Sequence, residues 1–245
     1  MPEIDQEIIN ILKKSKKVAI LTGAGVSAES GIPTFRGEGG YWKNYRAEDL
    51  ATPEAFSKDP KLVWEWYEMR RGVCSEAKPN RAHEVIALME NFFPEFFLIT
   101  QNVDGLHRRA GNKKIVQIHG DIFTSRCTKC RDISELLDHP LEENPPKCKK
   151  CNSILRPHIV WFGETYFPGV LEESYDFLNN VDFIIIIGTS GQVSVPVQLA
   201  MYAINKGAIS LEINPSHSTI TESVDYYIGG AAGEVMDELW KKLYG

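Results

Sequence analysis

No stretch of this 245-residue chain is apolar for long enough to cross a bilayer. The longest unbroken aliphatic run is Ile184 to Ile187, preceded by Phe183, against the ~20 apolar residues that a spanning helix needs. The first residues, Met-Pro-Glu-Ile-Asp-Gln-Glu, lack the basic and the apolar segments of a secretory signal. The expectation is a cytoplasmic protein with no membrane partner. Surplus positive charge is missing as well. With 27 Lys and Arg against 33 Asp and Glu, the net charge is −6. That speaks against the broad phosphate neutralisation on which non-specific nucleic-acid binding rests. There is no internal repeat and no low-complexity tract. The cysteines number only five, an odd count that disfavours a disulfide framework. What is present is an ordinary globular composition, 43% hydrophobic and 24% charged, enough to bury a sizeable core in one large domain or two small ones.

Apolar runs recur along the chain at Lys17 to Thr22, Phe96 to Thr100, Ile115 to Ile118, Val181 to Ile187, Ala208 to Ile213 and Asp225 to Ile228. Most are nearly continuous in Val, Ile, Leu or Phe, as parallel strands covered on both faces are. Helical spacing lies before, between and after them: Ile4, Ile8, Ile9 and Leu12, then Arg81 to Glu90, Val195 to Asn205 and Val235 to Leu243. This alternation predicts an α/β fold, a doubly wound parallel, Rossmann-like sheet. Two stretches break it. Residues 36–78 are rich in Trp, Tyr, Arg and Glu, hold no strand pattern, and contain a predicted helix from Lys61 to Val73; residues 122–158 hold paired cysteines, prolines and much charge. Both are read as insertions forming a smaller lobe, one helical and one a metal ribbon. Residues 1–35, 79–121 and 159–245 then make up the discontinuous sheet domain.

Four of the cysteines fall as Cys127-x2-Cys130-x17-Cys148-x2-Cys151. Two such knuckles complete a tetrahedral zinc site, and four thiolates leave no open position for water, so the expected metal is structural. A pair of redox dithiols would need a thioredoxin-like setting, which the flanking Lys and Pro residues do not supply. Cys74, on a helical pattern, reads as a packed thiol. Gly23-Ala24-Gly25-Val26-Ser27-Ala28 follows the first predicted strand and matches the glycine turn that lets a backbone approach a pyrophosphate. The same glycines also suit a plain tight turn. No acidic residue ends a second strand ~20 residues on, which disfavours a standard dehydrogenase. Thr100-Gln101-Asn102-Val103-Asp104-Gly105-Leu106-His107 ends another strand, either to meet a ligand there or to form an Asx-turn capping the next helix. His119-Gly120 follows a third. Of the six histidines, His119 is the one at a strand end beside a glycine, and imidazole is the side chain best suited to take a proton near neutral pH. Gly188-Thr189-Ser190 and Asn214-Pro215-Ser216 end the later strands and point to the same edge.

Taken in order, Gly23 through Arg36, Gln101 to Asp104, His119-Gly120, the four cysteines, Gly188 to Ser190 and Asn214-Pro215 resemble the sirtuin family, NAD-dependent protein lysine deacylases. The resemblance runs from about residue 12 to the C-terminus. It implies that NAD is consumed as co-substrate and that one structural zinc is bound. It places Gly23, Ala24, Gly25 and Ser27 against NAD, with Phe35, Arg36 and Trp42 in or beside the loop over it. Gln101, Asn102, Val103 and Asp104 line the nicotinamide and ribose pocket, Gly188, Thr189 and Ser190 approach the phosphates, and Asn214, Pro215, Ser216 and Ala232 lie on the adenosine side. His119 matches the family's general base, and Asn102 is implied as a catalytic residue beside it. In the implied reaction the amide oxygen of an acyl-lysine captures the ribose carbon as nicotinamide leaves. A ribose hydroxyl then attacks the product of that capture, and the base takes the hydroxyl's proton.

The partners implied are acyl-lysine proteins or peptides. Val160-Trp161-Phe162-Gly163-Glu164 matches the segment that pairs with an extended peptide, a mode that gives affinity with little sequence demand, and Val193 borders the acyl channel. Many relatives place a proline where this chain has Val195; here the proline is Pro196. Tyr67 and Arg70 lie three apart, on one face of the predicted helix. They match the Tyr-x-x-Arg pair of the subgroup that removes succinyl or malonyl groups, and Arg suits a carboxylate bidentately. On spacing alone, the same residues would be a packing aromatic and a solvated charge. Two other functions stay open: ADP-ribosyl transfer to protein, and a zinc-ribbon nucleic-acid-binding module. The second has seven Lys or Arg against five Asp or Glu over residues 122–158, a small charge for phosphate binding.

Overall fold

The structure, a computed structural model, describes residues 4–34, 41–42 and 45–244, and of Tyr41 and Trp42 the backbone alone. Its frame is a six-stranded sheet. The strands are β1 (Lys17–Thr22), β4 (Glu95–Thr100), β5 (Ile115–Gln117), β9 (Phe183–Ile187), β10 (Ile209–Asn214) and β11 (Tyr226–Gly229). They lie in the order β11-β10-β9-β1-β4-β5, every neighbouring pair parallel. Counted along the chain this is the 3-2-1-4-5-6 order of a dinucleotide-type sheet. Its order reverses between β1 and β9, and the carboxyl ends of those two strands are where the crevice of such a sheet takes its ligand.

Successive residues of a strand face opposite sides, and each side of the sheet has its own helices. Val18, Ile20, Leu98, Ile185 and Ile213 pack with α1 (Gln6–Lys14), α5 (Arg81–Phe92) and α9 (Ala232–Tyr244). Ala19, Leu21, Ile99, Ile184 and Ile186 pack with α7 (Val170–Leu178) and α8 (Ser194–Asn205). All five residues of β9 are fully buried, which is why that strand is an unbroken apolar run. Burying each isoleucine side chain contributes about 1.5–3 kcal/mol.

A third core joins the two insertions. It combines α2 (Ala47–Leu50), α3 (Pro53–Lys58) and α4 (Pro60–Glu76) with an antiparallel sheet of β7 (Ile133–Glu135), β6 (Gly120–Cys127) and β8 (Leu155–Ile159). Helices α3 and α4 start where sequence logic puts them: Thr52 and Asp59 accept from Ala55 N at 3.1 Å and Leu62 N at 3.0 Å, each followed by a proline at the first helical position. One expectation is corrected. Residues 36–78 are not free of strands, since β2 (Tyr41–Trp42) pairs antiparallel with β3 (Tyr45–Arg46). Two-residue strands hold no alternation to read. Among the described residues no helix is long and apolar enough to cross a membrane.

Candidate active site

At the crevice the loop after β1 and the loop after β9 interlock. Gly23 N donates to Ile187 O at 2.9 Å, and Gly25 N to Gly188 O at 2.8 Å. A Cβ on Gly25 would lie 2.7 Å from Gly188 Cα, and one on Gly188 would collide with Val26 N; Gly188 also has φ +62°. These amides are engaged within the protein, so the glycines contribute close approach of backbone to backbone. Ala24 opens a 3₁₀ turn, Ala24–Ser30, that carries Ser27 inward.

A line of hydrogen bonds ties four strand ends together. His119, in the turn between β5 and β6, lies with Nδ1 2.9 Å from Gln101 O after β4. Gln101 Nε2 donates to Thr189 Oγ1 after β9 at 3.1 Å, and Asn214 Nδ2, at the end of β10, donates to Thr189 O at 2.7 Å. Gly120 makes the turn possible. Its φ is +90°, and the His158 carbonyl occupies the place of any Cβ. A carbonyl oxygen only accepts, so His119 carries its proton on Nδ1 and keeps a lone pair on Nε2, which lies 3.3 Å from the Tyr166 hydroxyl. Burial lowers the His119 pKa below the ordinary 6.5, although the Gln101 bond works against that. The imidazole is therefore neutral at pH 7, able to accept a proton.

Beneath it lies a second, buried cluster. Ser27 Oγ donates to Asp104 Oδ2 at 2.8 Å, accepts from Asn102 Nδ2 at 3.1 Å, and sits 3.4 Å from His83 Nε2. Burial raises the Asp104 pKa, opposed by its bonds from Leu106 N and Ser27. His107 Nε2 lies 3.0 Å from Thr22 Oγ1, which donates to Thr100 Oγ1 at 2.8 Å, and Thr100 in turn accepts from Asn102 N. His83, Thr22 and Tyr166 were not picked out by sequence reasoning, and Thr100 and His107, which bound the motif after β4, were given no role there. The only signal for the two threonines was a hydroxyl closing an otherwise apolar strand. The histidines sit at ordinary helix positions, and Tyr166 lies in an irregular loop.

The other expected residues distribute as follows. Val103 is half-buried beside the third core, Thr189 is buried and Ser190 exposed, and Pro215 and Ser216 are exposed after β10. Ala232 is buried at the start of α9, where Gly233 N donates to Glu29 Oε2 at 2.6 Å. Phe35 and Arg36 lie outside the described residues, as does the Trp42 side chain. Val193 precedes α8, and Pro196 falls in its first turn, where a missing N–H costs little.

Tyr67 and Arg70 share a face of α4. Tyr67 is buried, its hydroxyl accepting from Trp161 Nε1 at 2.7 Å, and desolvation pushes that hydroxyl up to about 12. The Arg70 guanidinium lies 4.9 Å from the Trp66 ring, and its charge acts on both Tyr67 and Asp104. Val160 N donates to His119 O at 2.9 Å, so segment 160–164 starts directly at the histidine turn. Phe162 and Gly163 are exposed there. The Glu164 carboxylate is held internally by Arg156, Nη1 at 2.7 Å and Nη2 at 2.8 Å, and by Trp161 N at 3.0 Å.

The four cysteine sulfurs lie within 4.8 Å of one another, the nearest pairs 3.4–3.7 Å apart, and none is in a disulfide. Four sulfurs ~2.3 Å from one zinc would stand roughly 3.8 Å apart, so the residues fit that ion. Amides of Lys129 and Cys130 point at Cys127 Sγ, and Lys150 N at Cys148 Sγ, each 3.4 Å away, which steadies the thiolates. Strand β6 begins beside His119 and ends at Cys127. At ~3.3 Å per residue the metal would lie roughly 20 Å from the imidazole, consistent with a structural ion.

Comparison with known proteins adds an independent line. The NAD-dependent protein deacylase of Leptospira interrogans is 51% identical over 231 residues, covering 94% of either chain. A solved Sir2 homolog–NAD complex matches with a TM-score of 0.94 at 44% identity, over 98% of this chain and 94% of that one. A Sir2–p53 peptide–NAD+ complex matches with a TM-score of 0.88 at 27% identity, over 98% of each. The Sir2 family model covers residues 23–195. With the 3-2-1-4-5-6 sheet, the interlocked glycine loops and this match in hand, the chain belongs to the Sir2 family.

Proposed function

We propose that this protein removes acyl groups from protein lysine side chains at the expense of NAD, giving nicotinamide, O-acyl-ADP-ribose and free lysine. The observation that carries this is the neutral imidazole of His119, fixed by the Gln101 carbonyl with its Nε2 lone pair kept, in hydrogen-bonded continuity with the glycine crevice. The deacylase name of the Leptospira protein and the NAD and peptide in the solved neighbours support the same reading.

Bound NAD supplies an electrophilic ribose carbon as nicotinamide leaves. The chain's own residues do the rest. The interlocked Gly23–Gly25 and Gly188 loops would form the surface on which the pyrophosphate lies, and Gln101, Asn102 and Asp104 would hold the ribose end. Asn214 offers Oδ1 to the adenine ribose, because both of its N–H groups are taken by Thr189 O and Glu212 Oε1. His119 removes the proton of the attacking hydroxyl, help worth ~10²–10⁴ in rate. In this reading residues 1–35, 79–121 and 159–245 form the NAD-binding domain, 36–78 a helical insertion that carries the cofactor loop, and 122–158 a zinc-ribbon insertion. Purified protein incubated with NAD and matched acetyl, succinyl and malonyl peptides, its products weighed, tests the proposal. Peptide cleaved equally without NAD would refute it, and a modified acceptor protein would indicate ADP-ribosyl transfer instead.

Arg70, whose charge acts on Tyr67 and Asp104, supports a narrower version in which it grips an acyl carboxylate. Arg70→Met is expected to cut desuccinylation at least tenfold, the worth of a charge-assisted pair of about 1.5–3 kcal/mol, and to spare deacetylation. Equal loss of both activities would count against it.

A further inference from the structure

Tyr166 has no role in the chemistry above, yet its hydroxyl is the group in contact with the His119 nitrogen that must take the proton. The separation is 3.3 Å, with ring centroids 5.7 Å apart. Since Nδ1–H is committed to Gln101 O, Nε2 accepts, and the phenol O–H donates to it. The phenol oxygen keeps its own lone pairs, and among the described residues no group donates to them. Tyr166 is half-buried in the loop between β8 and α7, four residues past Phe162. One lone pair on Nε2 cannot serve two donors. A substrate hydroxyl must therefore displace the phenol or pass its proton through it, and the open acceptor on the phenol oxygen favours passage.

We propose that Tyr166 is a further catalytic residue, relaying the proton of the attacking ribose hydroxyl to His119 Nε2. The proposal rests on His119 being the base. In the relay the substrate O–H bond breaks and a new O–H bond forms on the phenol oxygen. The phenol's original O–H bond breaks and an N–H bond forms at Nε2. The electron pair of the substrate O–H stays on its oxygen, which uses it to bond the acyl carbon. Tyrosine ends neutral, imidazole ends as imidazolium, and no further reactant is needed. Burial pushes the Tyr166 hydroxyl up to about 12, so no free phenolate accumulates and the two protons move together.

The test compares zinc-loaded, full-length wild type, Tyr166→Phe and His119→Gln with NAD and an acetyl-lysine peptide. Product formation by Tyr166→Phe is expected to fall about tenfold or more, within the range of acid–base assistance. Exchange of labelled nicotinamide into NAD, which precedes the proton transfer, should stay within about twofold. The solvent-deuterium proton inventory should be curved in wild type, with two protons in flight, and linear in Tyr166→Phe. Unchanged or faster product formation in Tyr166→Phe while His119→Gln is inactive would overturn the relay and leave the base in place. Equal loss of exchange and product would mean a packing role and overturn it too. Full activity in His119→Gln would instead remove the base reading beneath it.

Discussion

An imidazole acts as a base only while its lone pair is free of a proton, and here burial protects that state. The folded protein holds the His119 pKa below 6.5, so the fraction in the basic form stays high into mildly acidic solution. The acid limb of the rate–pH profile is accordingly expected below pH 6.5, and an acid limb above it would contradict the assignment. His119→Ala should abolish product formation while zinc content, measured by atomic absorption, stays unchanged. His119 and Asp104 were legible in the sequence because each followed an apolar run whose end marks the ligand edge of a parallel sheet. The contacts that support them were not. Ser27 receives Asn102 and gives to Asp104 across more than 70 positions of chain, and no local spacing encodes such a contact. Tyr166 reaches His119 from a loop without periodicity, for the same reason.

Elements were readable in proportion to the length of their pattern. Strands β1 and β9 and helices α1, α4 and α9 carry runs long enough to set a period, and they were placed to within a few residues. Helix α7 and the β6–β7–β8 sheet went unread. In the latter a register shift between Asp121 and Ser125 breaks the alternation, and β7 is three exposed residues. That sheet is held at one end by the cysteines, and two tryptophans join it to α4: Trp64 Nε1 donates to Leu155 O at 2.8 Å, and Trp161, just past β8, packs beside Tyr67. Chelating the metal, or Cys148→Ser, should therefore loosen β8 against α4. The expected result is a lower Tm with a red shift in tryptophan emission; an unchanged spectrum after full zinc removal would count against it. Between β1 and β9 the glycine lock makes a separate demand. Gly188→Ala places a side chain at φ +62° against Val26 N, so it should weaken NAD binding and lower Tm together. Unaltered calorimetric affinity would mean that the loops can part.

Across the whole molecule, the chemistry at the crevice is bought with buried histidines. His83 is fully buried, with its pKa lowered by desolvation to about 4, and His107 is lowered well below 6.5 by burial and by the charge of His83. Their rings lie 4.7 Å apart between α5 and α6 (Leu106–Ala110), so both protons cannot be taken up in place. The unfolded chain binds those protons near the ordinary value and the folded chain does not. Stability is thus fully present above about pH 6.5 and falls as the pH drops toward 4. For His83 alone the shift from 6.5 to about 4 amounts to about 3 kcal/mol, a large part of the ~5–15 kcal/mol that holds a typical domain. Asp104 opposes the trend, because burial raises its pKa and the folded state takes its proton more readily. His119 and His158, whose pKa values burial also lowers, act in the same direction as His83 and His107. Urea midpoints measured at pH 7, 6 and 5 should therefore decline, and His83→Gln, which keeps a neutral polar group beside Ser27, should flatten the decline while lowering the midpoint at pH 7. A wild-type midpoint level from pH 7 to 5 would mean that the imidazoles are solvated well enough to charge within the fold.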